Sequence, residues 1–198
     1  MNPAVPLHHA PTPCGDAPGA SDDESAFRGA LAHAAARVTA GVPHALFVIH
    51  VARLASVRRH CGHEAEEALV AAIHRLIEQT CGPCLARCRT RVDQIAVLKR
   101  DCRRRDAVAI AHAICDVLDR ETFSWHGLSF RLGATVGLLE LENLPEGIDD
   151  WLGCAVDACA AARSLGNEGV LMLTGRLGER AECDRERAWR AHINERLA

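Results

Sequence analysis

No stretch of this sequence is apolar for long enough to cross a bilayer. The longest apolar runs, such as Ala45–Ile49, fall far short of the ~20 residues that a spanning helix needs, so no membrane partner is expected. Nor is there an excess of either charge: 23 Lys and Arg stand against 26 Asp and Glu, a net charge of -3. That balance offers no case for a nucleic-acid partner. The N-terminal MNPAVPLHHAPTPCGDAPGAS lacks a basic segment followed by an apolar one, so it is not a secretory signal, and a cytoplasmic location is the expectation. No internal repeat is present.

What the chain has is enough for one α/β domain with flanking segments: 198 residues, 48% hydrophobic and 25% charged. It also has ten cysteines. They are scattered, and several, such as Cys115, Cys154 and Cys159, fall at apolar-periodic positions. They read as small buried hydrophobes in a reducing compartment rather than as a disulfide framework.

Residues 1–23 are rich in Pro, Gly, Ala, Asp and Ser, and read as a disordered leader. A helix follows, with acids at its start, Phe27, Leu31 and Ala35 at helical spacing, and a stop at Gly41-Val42-Pro43. His44–Val51 is a short β-branched run, hence a buried strand. A short helix to Cys61 and an amphipathic helix over Glu64–Thr80 come next, the second ending at Gly82-Pro83. Leu85–Thr90 and Gln94–Arg100 read as a hairpin, Arg105–Glu121 as a helix, and Phe123–Trp125 and Leu128–Glu140 as strands joined at His126-Gly127. Asp149–Leu165 is a helix capped by Gly166-Asn167, Gly169–Leu173 a last strand, and Gly178–Leu197 a charged helix. Helices alternating with strands and hairpins predict a mixed central sheet flanked by helices.

Five blocks of the chain, between residues 26 and 174, resemble the GGDEF family. FRGALAHAAARVTAGVPHALFVIHVARL is similar to that family's first helix and first strand, "hALLyiDLDrFK". SVRRHCGHEAEEALV resembles "vNDtcGHaaGDeLL", and RTRVDQIAVL resembles the signature hairpin "RLGGDEFaVL". FSWHGLSFRLGATVGLLEL is similar to "F.W.g..f.v.aSiGvv.l", and WLGCAVDACAAARSLGNEGVLML to "ll..AD.AcyaAK.aGrNrv.vy". The resemblance implies a nucleotide-cyclase-like fold with a ferredoxin-like core over residues 24–175. Residues 176–198, RLGERAECDRERAWRAHINERLA in part, resemble the linker helix that leads into an EAL phosphodiesterase domain in composite proteins. No EAL domain follows in this sequence, which leaves a fragment or a stand-alone descendant as the two readings.

Active members of that family join two GTP molecules into cyclic di-GMP, using carboxylates to hold divalent metal against the triphosphate. The resemblance places His50 at the first metal aspartate and Ala52 at the second. Imidazole is a poor Mg²⁺ ligand. In the hairpin, Arg91 and Val92 replace the two glycines, Asp93 keeps the acid, Gln94 replaces the glutamate and Ile95 the phenylalanine. Side chains in place of glycines should obstruct the approach of phosphates to the backbone. The guanine-binding positions hold Arg58 and Glu67, and the phosphate lysine is Arg163. Arg58 has no acceptor, whereas Glu67 could take hydrogen bonds from guanine. The RxxD product site would fall on Gly82 and Leu85, and the "DxLTGLxNR" opening is missing.

The expectation is therefore a catalytically inactive domain with no bound cofactor, acting as a regulatory or interaction module. Its C-terminal helix, with Trp189 and Ile193 at i,i+4, is the expected contact for a second copy, an EAL-type protein or another signalling protein. Two alternatives stand beside it: a GTP sensor using Arg58, Glu67, Asp93 and Arg163, and a cyclase with an atypical site, for which alone Mg²⁺ and GTP would be needed. Other motifs read more plainly. Cys81-Gly82-Pro83-Cys84 has a redox-type spacing, but such motifs work at the start of a helix that follows a strand, and this one follows a helix. It reads as a Gly-Pro helix stop. With Cys88 it would make a zinc site lacking a fourth ligand. His60, Cys61 and His63 could suggest a metal, but His63 matches the family's structural histidine. Arg103-Arg104-Arg105 reads as a solvated loop.

Overall fold

A computed structural model describes residues 24–38, 42–141, 148–164 and 169–173. The leader over 1–23, the helix stop at Gly41, the cap at Gly166-Asn167 and the helix over Gly178–Leu197 lie outside the described residues. Among the described residues no helix is long and apolar enough to cross a membrane.

The elements run α1 (Glu24–Val38), β1 (His44–Val51), α2 (Leu54–Cys61), α3 (His63–Cys81), β2 (Ala86–Arg91), β3 (Gln94–Arg100), α4 (Arg104–Arg120), β4 (Thr122–Trp125), β5 (Leu128–Arg131), β6 (Ala134–Glu140), α5 (Ile148–Ser164) and β7 (Val170–Leu173). The main sheet has the order β2-β3-β1-β6-β7. β1 lies at its centre, antiparallel to β3 and β6, and β7 joins β6 in parallel. Taken as β1-α3-β2-β3-α4-β6, this is the split βαβ arrangement of a ferredoxin-like core, as the sequence predicted.

Strand periodicity explains why the sheet is covered on both faces. Along β1, Ala45, Phe47, Ile49 and Val51 point into a core shared with α3 and α4, including Leu69, Ile73 and Ile114. The alternate residues Leu46 and Val48 point into a second core with Phe27 and Leu31 of α1 and Ala155 and Cys159 of α5. The run Ala45–Ile49, apolar at every position, is what a strand buried on two faces requires.

One expectation is corrected. Leu128–Glu140 is not a single strand. β5 pairs only with β4, whereas β6 enters the main sheet. Between them Leu132 donates its N–H to Glu121 O, and Gly133 O accepts from Ala52 N at 2.9 Å. The backbone changes partners there, so pairing rather than local propensity breaks the strand. The turn at His126-Gly127 is as expected: both residues have positive φ, 45° and 85°, as a two-residue hairpin of the I′ kind demands.

On the α5 face, β6 passes unusually close to the helix at Gly137. A Cβ built there would sit 2.2 Å from Ala155 O and 2.5 Å from Cys159 N.

Candidate functional site

Three elements meet at one end of the sheet: the C-terminal end of β1, the β2–β3 turn at Val92-Asp93, and the N-terminal turns of α3. Register puts His50 between Gln94 of β3 and Thr135 of β6. Val51 N donates to Asp93 O at 2.9 Å, which ties the hairpin tip to the end of β1. The His50 side chain then meets Asp93, Nε2 to Oδ2, at 3.3 Å.

This contact is a hydrogen bond from a neutral imidazole rather than an ion pair. Burial lowers the His50 pKa from its ordinary 6.5 and the Arg163 charge lowers it further, outweighing the upward pull of Asp93. Because the folded value lies below the unfolded one, His50 favours folding fully above pH 6.5. That contribution is lost as pH falls through the lowered value. A ¹³C or ¹⁵N NMR titration should place the His50 midpoint below 6.5, and Asp93→Asn should move it lower still. A midpoint at or above 6.5 would contradict the assignment.

A second cluster lies beside the first and is built on Glu66. This carboxylate has no exposed surface, and an acid is rarely buried so fully unless it is paired. Its partner is Arg89 of β2, whose Nη2 contacts Glu66 Oε1. The same guanidinium reaches Glu67 Oε1 at 3.4 Å and donates to the Val92 carbonyl at 2.7 Å. Glu66 Oε2 faces Arg58 Nε and His63 Nδ1, each at 3.5 Å. Burial alone would raise the Glu66 pKa, but the hydrogen bond and charge of Arg89, backed by His63 and Arg58, hold it below the ordinary carboxylate value. Arg89 thus stitches the start of α3 to the hairpin tip.

The residues expected to carry nucleotide chemistry are brought together in part. Arg58 and Glu67 flank the Glu66–Arg89 pair, while Asp93 and Arg163 act on His50. Arg91 and Val92 stand exposed at the hairpin tip, Ile95 is core, and Gln94 is buried, its Oε1 without a hydrogen-bond partner among the described residues. Glu66 and Arg89 were not singled out from sequence. The signal was present, since Glu66 stands where "GHaaGDeLL" has glycine.

The remaining motifs separate. His63 lies with Glu66 and Glu67 within metal-ligand distance of one another, but both acids already face Arg89. His60 instead donates from Nδ1 to Ser56 O, 2.8 Å away, and lies beside Phe130. Cys88 belongs to the core under α1 and α5, whereas Cys84 packs on the α3–α4 side, so the two do not share a face. Cys84 precedes β2, so strand alternation does not fix the face its side chain takes. Arg103, Arg104 and Arg105 are exposed, as expected. A separate cleft of about 580 Å³ is lined by Ala52, Arg53, Ser56, His60, Asp119 and Phe130 among others, so Ala52 opens onto it rather than onto the His50–Asp93 or Glu66–Arg89 clusters.

Solved structures share this architecture. The GGDEF domain of FimX from Pseudomonas aeruginosa superposes with a TM-score of 0.68 at 19% identity, over 75% of this chain and 92% of that one. The GGDEF domain of DgcB from Caulobacter crescentus, in complex with c-di-GMP, gives 0.68 at 15% identity, over 81% and 98%. The diguanylate cyclase SiaD from Pseudomonas aeruginosa, in complex with its activator SiaC, gives 0.66 at 18% identity, over 75% and 57%. At such identities the likeness speaks for the fold alone. No curated protein matches the chain. Residues 23–169, well over half of the chain, match the sequence model described as "Diguanylate cyclase, GGDEF domain", and the chain belongs to the GGDEF family.

Proposed function

We propose that this chain is a GGDEF domain that no longer makes cyclic di-GMP and acts as a regulatory or protein-interaction module in cyclic di-GMP signalling. The observation that carries this reading is the state of the family's metal position. It holds His50, whose Nε2 is engaged by Asp93 at 3.3 Å. The residues do not fit Mg²⁺, which wants oxygen ligands in number. Asp93 is the one carboxylate at the hairpin tip, and Gln94 beside it is buried. Beyond it, the Arg89–Glu66 pair fills the space between the hairpin and α3, flanked by the positions where the resemblance would put guanine recognition.

Purified protein with GTP and Mg²⁺ or Mn²⁺ should yield no cyclic di-GMP by liquid chromatography. Metal-dependent product, abolished by His50→Ala, would overturn the proposal. A second reading, a GTP sensor, is favoured by Glu67, which keeps half of its surface exposed next to the Glu66–Arg89 pair. Isothermal titration separates the two: micromolar GTP binding supports the sensor, and no heat up to millimolar supports the interaction module. The partner would be a second copy, an EAL-type protein or another signalling protein, contacted through residues 176–198. That SiaD is solved with a protein activator gives such an arrangement a precedent in the family.

A further inference from the structure

Cys81 is the last residue of α3, and Gly82 caps the helix with φ 66°. Gly82-Pro83 then turns the chain toward β2, which places the Cys84 thiol beside that of Cys81, with Cys84 Sγ donating to the Gly82 carbonyl at 3.3 Å. Cys81 is buried and Cys84 is partly buried, packed against the edge of the core. Lys99 of β3 covers the turn, donating from Nζ to the Cys81 carbonyl and, at 3.3 Å, to the Pro83 carbonyl. Arg87 of β2 approaches from the other side, held by Glu78 at 3.3 Å.

We propose that Cys81 and Cys84 form a thiol–disulfide exchange site whose substrate is a low-molecular-weight disulfide, Cys84 being the attacking thiol and Cys81 the resolving one. The Cys84 thiolate attacks one sulfur of the disulfide, and the other leaves as a thiolate that takes a proton from water. Cys81 then loses its proton to water, and its sulfur attacks the Cys84 sulfur, expelling the second small thiolate. Two cysteines are oxidised and one disulfide is reduced to two thiols.

The charges around the pair support these roles. The hydrogen bond from Cys81 lowers the Cys84 pKa to about 7 against the pull of burial, with Lys99 and Arg87 adding to the effect. The same hydrogen bond is the largest cause that raises Cys81. It vanishes once Cys84 is capped as a mixed disulfide, which removes the largest obstacle to ionising Cys81 and leaves burial opposed by the Lys99 charge. A helix C-terminus works against a thiolate; here cations from β2 and β3 do what a helix N-terminus does elsewhere.

At pH 7 a thiol of pKa 7 has about fifty times the thiolate of one at 9, while its lower basicity reduces nucleophilicity about six- to ten-fold. Cys84 should therefore react with iodoacetamide about five- to eight-fold faster than an ordinary exposed thiol. Full-length protein incubated with oxidised glutathione, then alkylated and mapped by mass spectrometry, should carry a Cys81–Cys84 bridge. Cys81→Ser should stop at a glutathione adduct on Cys84, and Cys84→Ser should leave Cys81 unmodified. A persistent adduct on Cys84 in the unaltered protein, a bridge from Cys84 to the nearby buried Cys102, or a Cys84 alkylation rate no higher than that of the other thiols would overturn the proposal.

Discussion

Arg89→Ala should destabilise the domain by about 3 kcal/mol, read from urea unfolding. Removing one partner of a buried ion pair typically costs 3–5 kcal/mol, because the remaining charge is left in a dry site. Here the survivor is Glu66, which has no exposed surface. The low end applies because Arg58 and His63, each at 3.5 Å, would still face it. Arg89 also donates to the Val92 carbonyl, so the hairpin tip loses its tie to α3 in the same step. The variant should respond to acid differently from the parent. In the parent the lowered Glu66 pKa supports folding fully above the ordinary 4.5, and that support is lost as pH falls through the lowered value. Without Arg89 this acid dependence should flatten or reverse. Replacing both partners with leucine should recover most of the loss, since an apolar pair needs no compensating charge. A single-variant loss under 1 kcal/mol would mean that water reaches Glu66 and the pair is only a surface contact.

Gly137→Ala should cost about 3 kcal/mol or more, above the usual 1–3 kcal/mol for an overpacked site. The added methyl would lie 2.2 Å from Ala155 O and 2.5 Å from Cys159 N, and both obstacles are backbone. No rotamer change relieves such a contact, so α5 must move off β6. Cys159 donates its thiol to Thr135 O at 3.4 Å, a contact that the shift would break. Thermal unfolding followed by circular dichroism would show the loss. A Tm within a degree of the parent would mean that helix and strand are less closely packed than described.

The fold was legible in the sequence wherever burial imposed a pattern. His44–Val51 is apolar on both faces because it is the central strand, and the helices over α3 and α4 carry their apolar stripes at helical spacing. Sequence reasoning failed where long-range pairing decides. Nothing local in Leu128–Glu140 says that its two halves join different sheets; Glu121 O and Ala52 N do. The site was legible in outline only. His50, Asp93 and Gln94 could be placed by resemblance, but Glu66 looks like any acid on the outside of a helix. Its meaning depends on Arg89, 23 residues away. The cysteine pair shows a similar limit: its position at a helix end was plain, yet Lys99 and Arg87, which give it chemistry, come from two strands beyond it.

The central position of β1 sets a timetable for the chain as it is made. His44 pairs with Arg100 and Ala45 with Glu140, so these positions of the central strand are synthesised 56 and 95 residues ahead of their partners on the two neighbours. At about 5–20 residues per second, HALFVIHV would wait roughly 5–20 s before β6 exists to cover it. α1 and α3 are made before β6, and β3 can take one edge, but the edge that β6 will pair stays open throughout that interval. An open, apolar strand edge is a template for wrong pairing, so the order of synthesis leaves this sheet exposed to mispairing until β6 emerges.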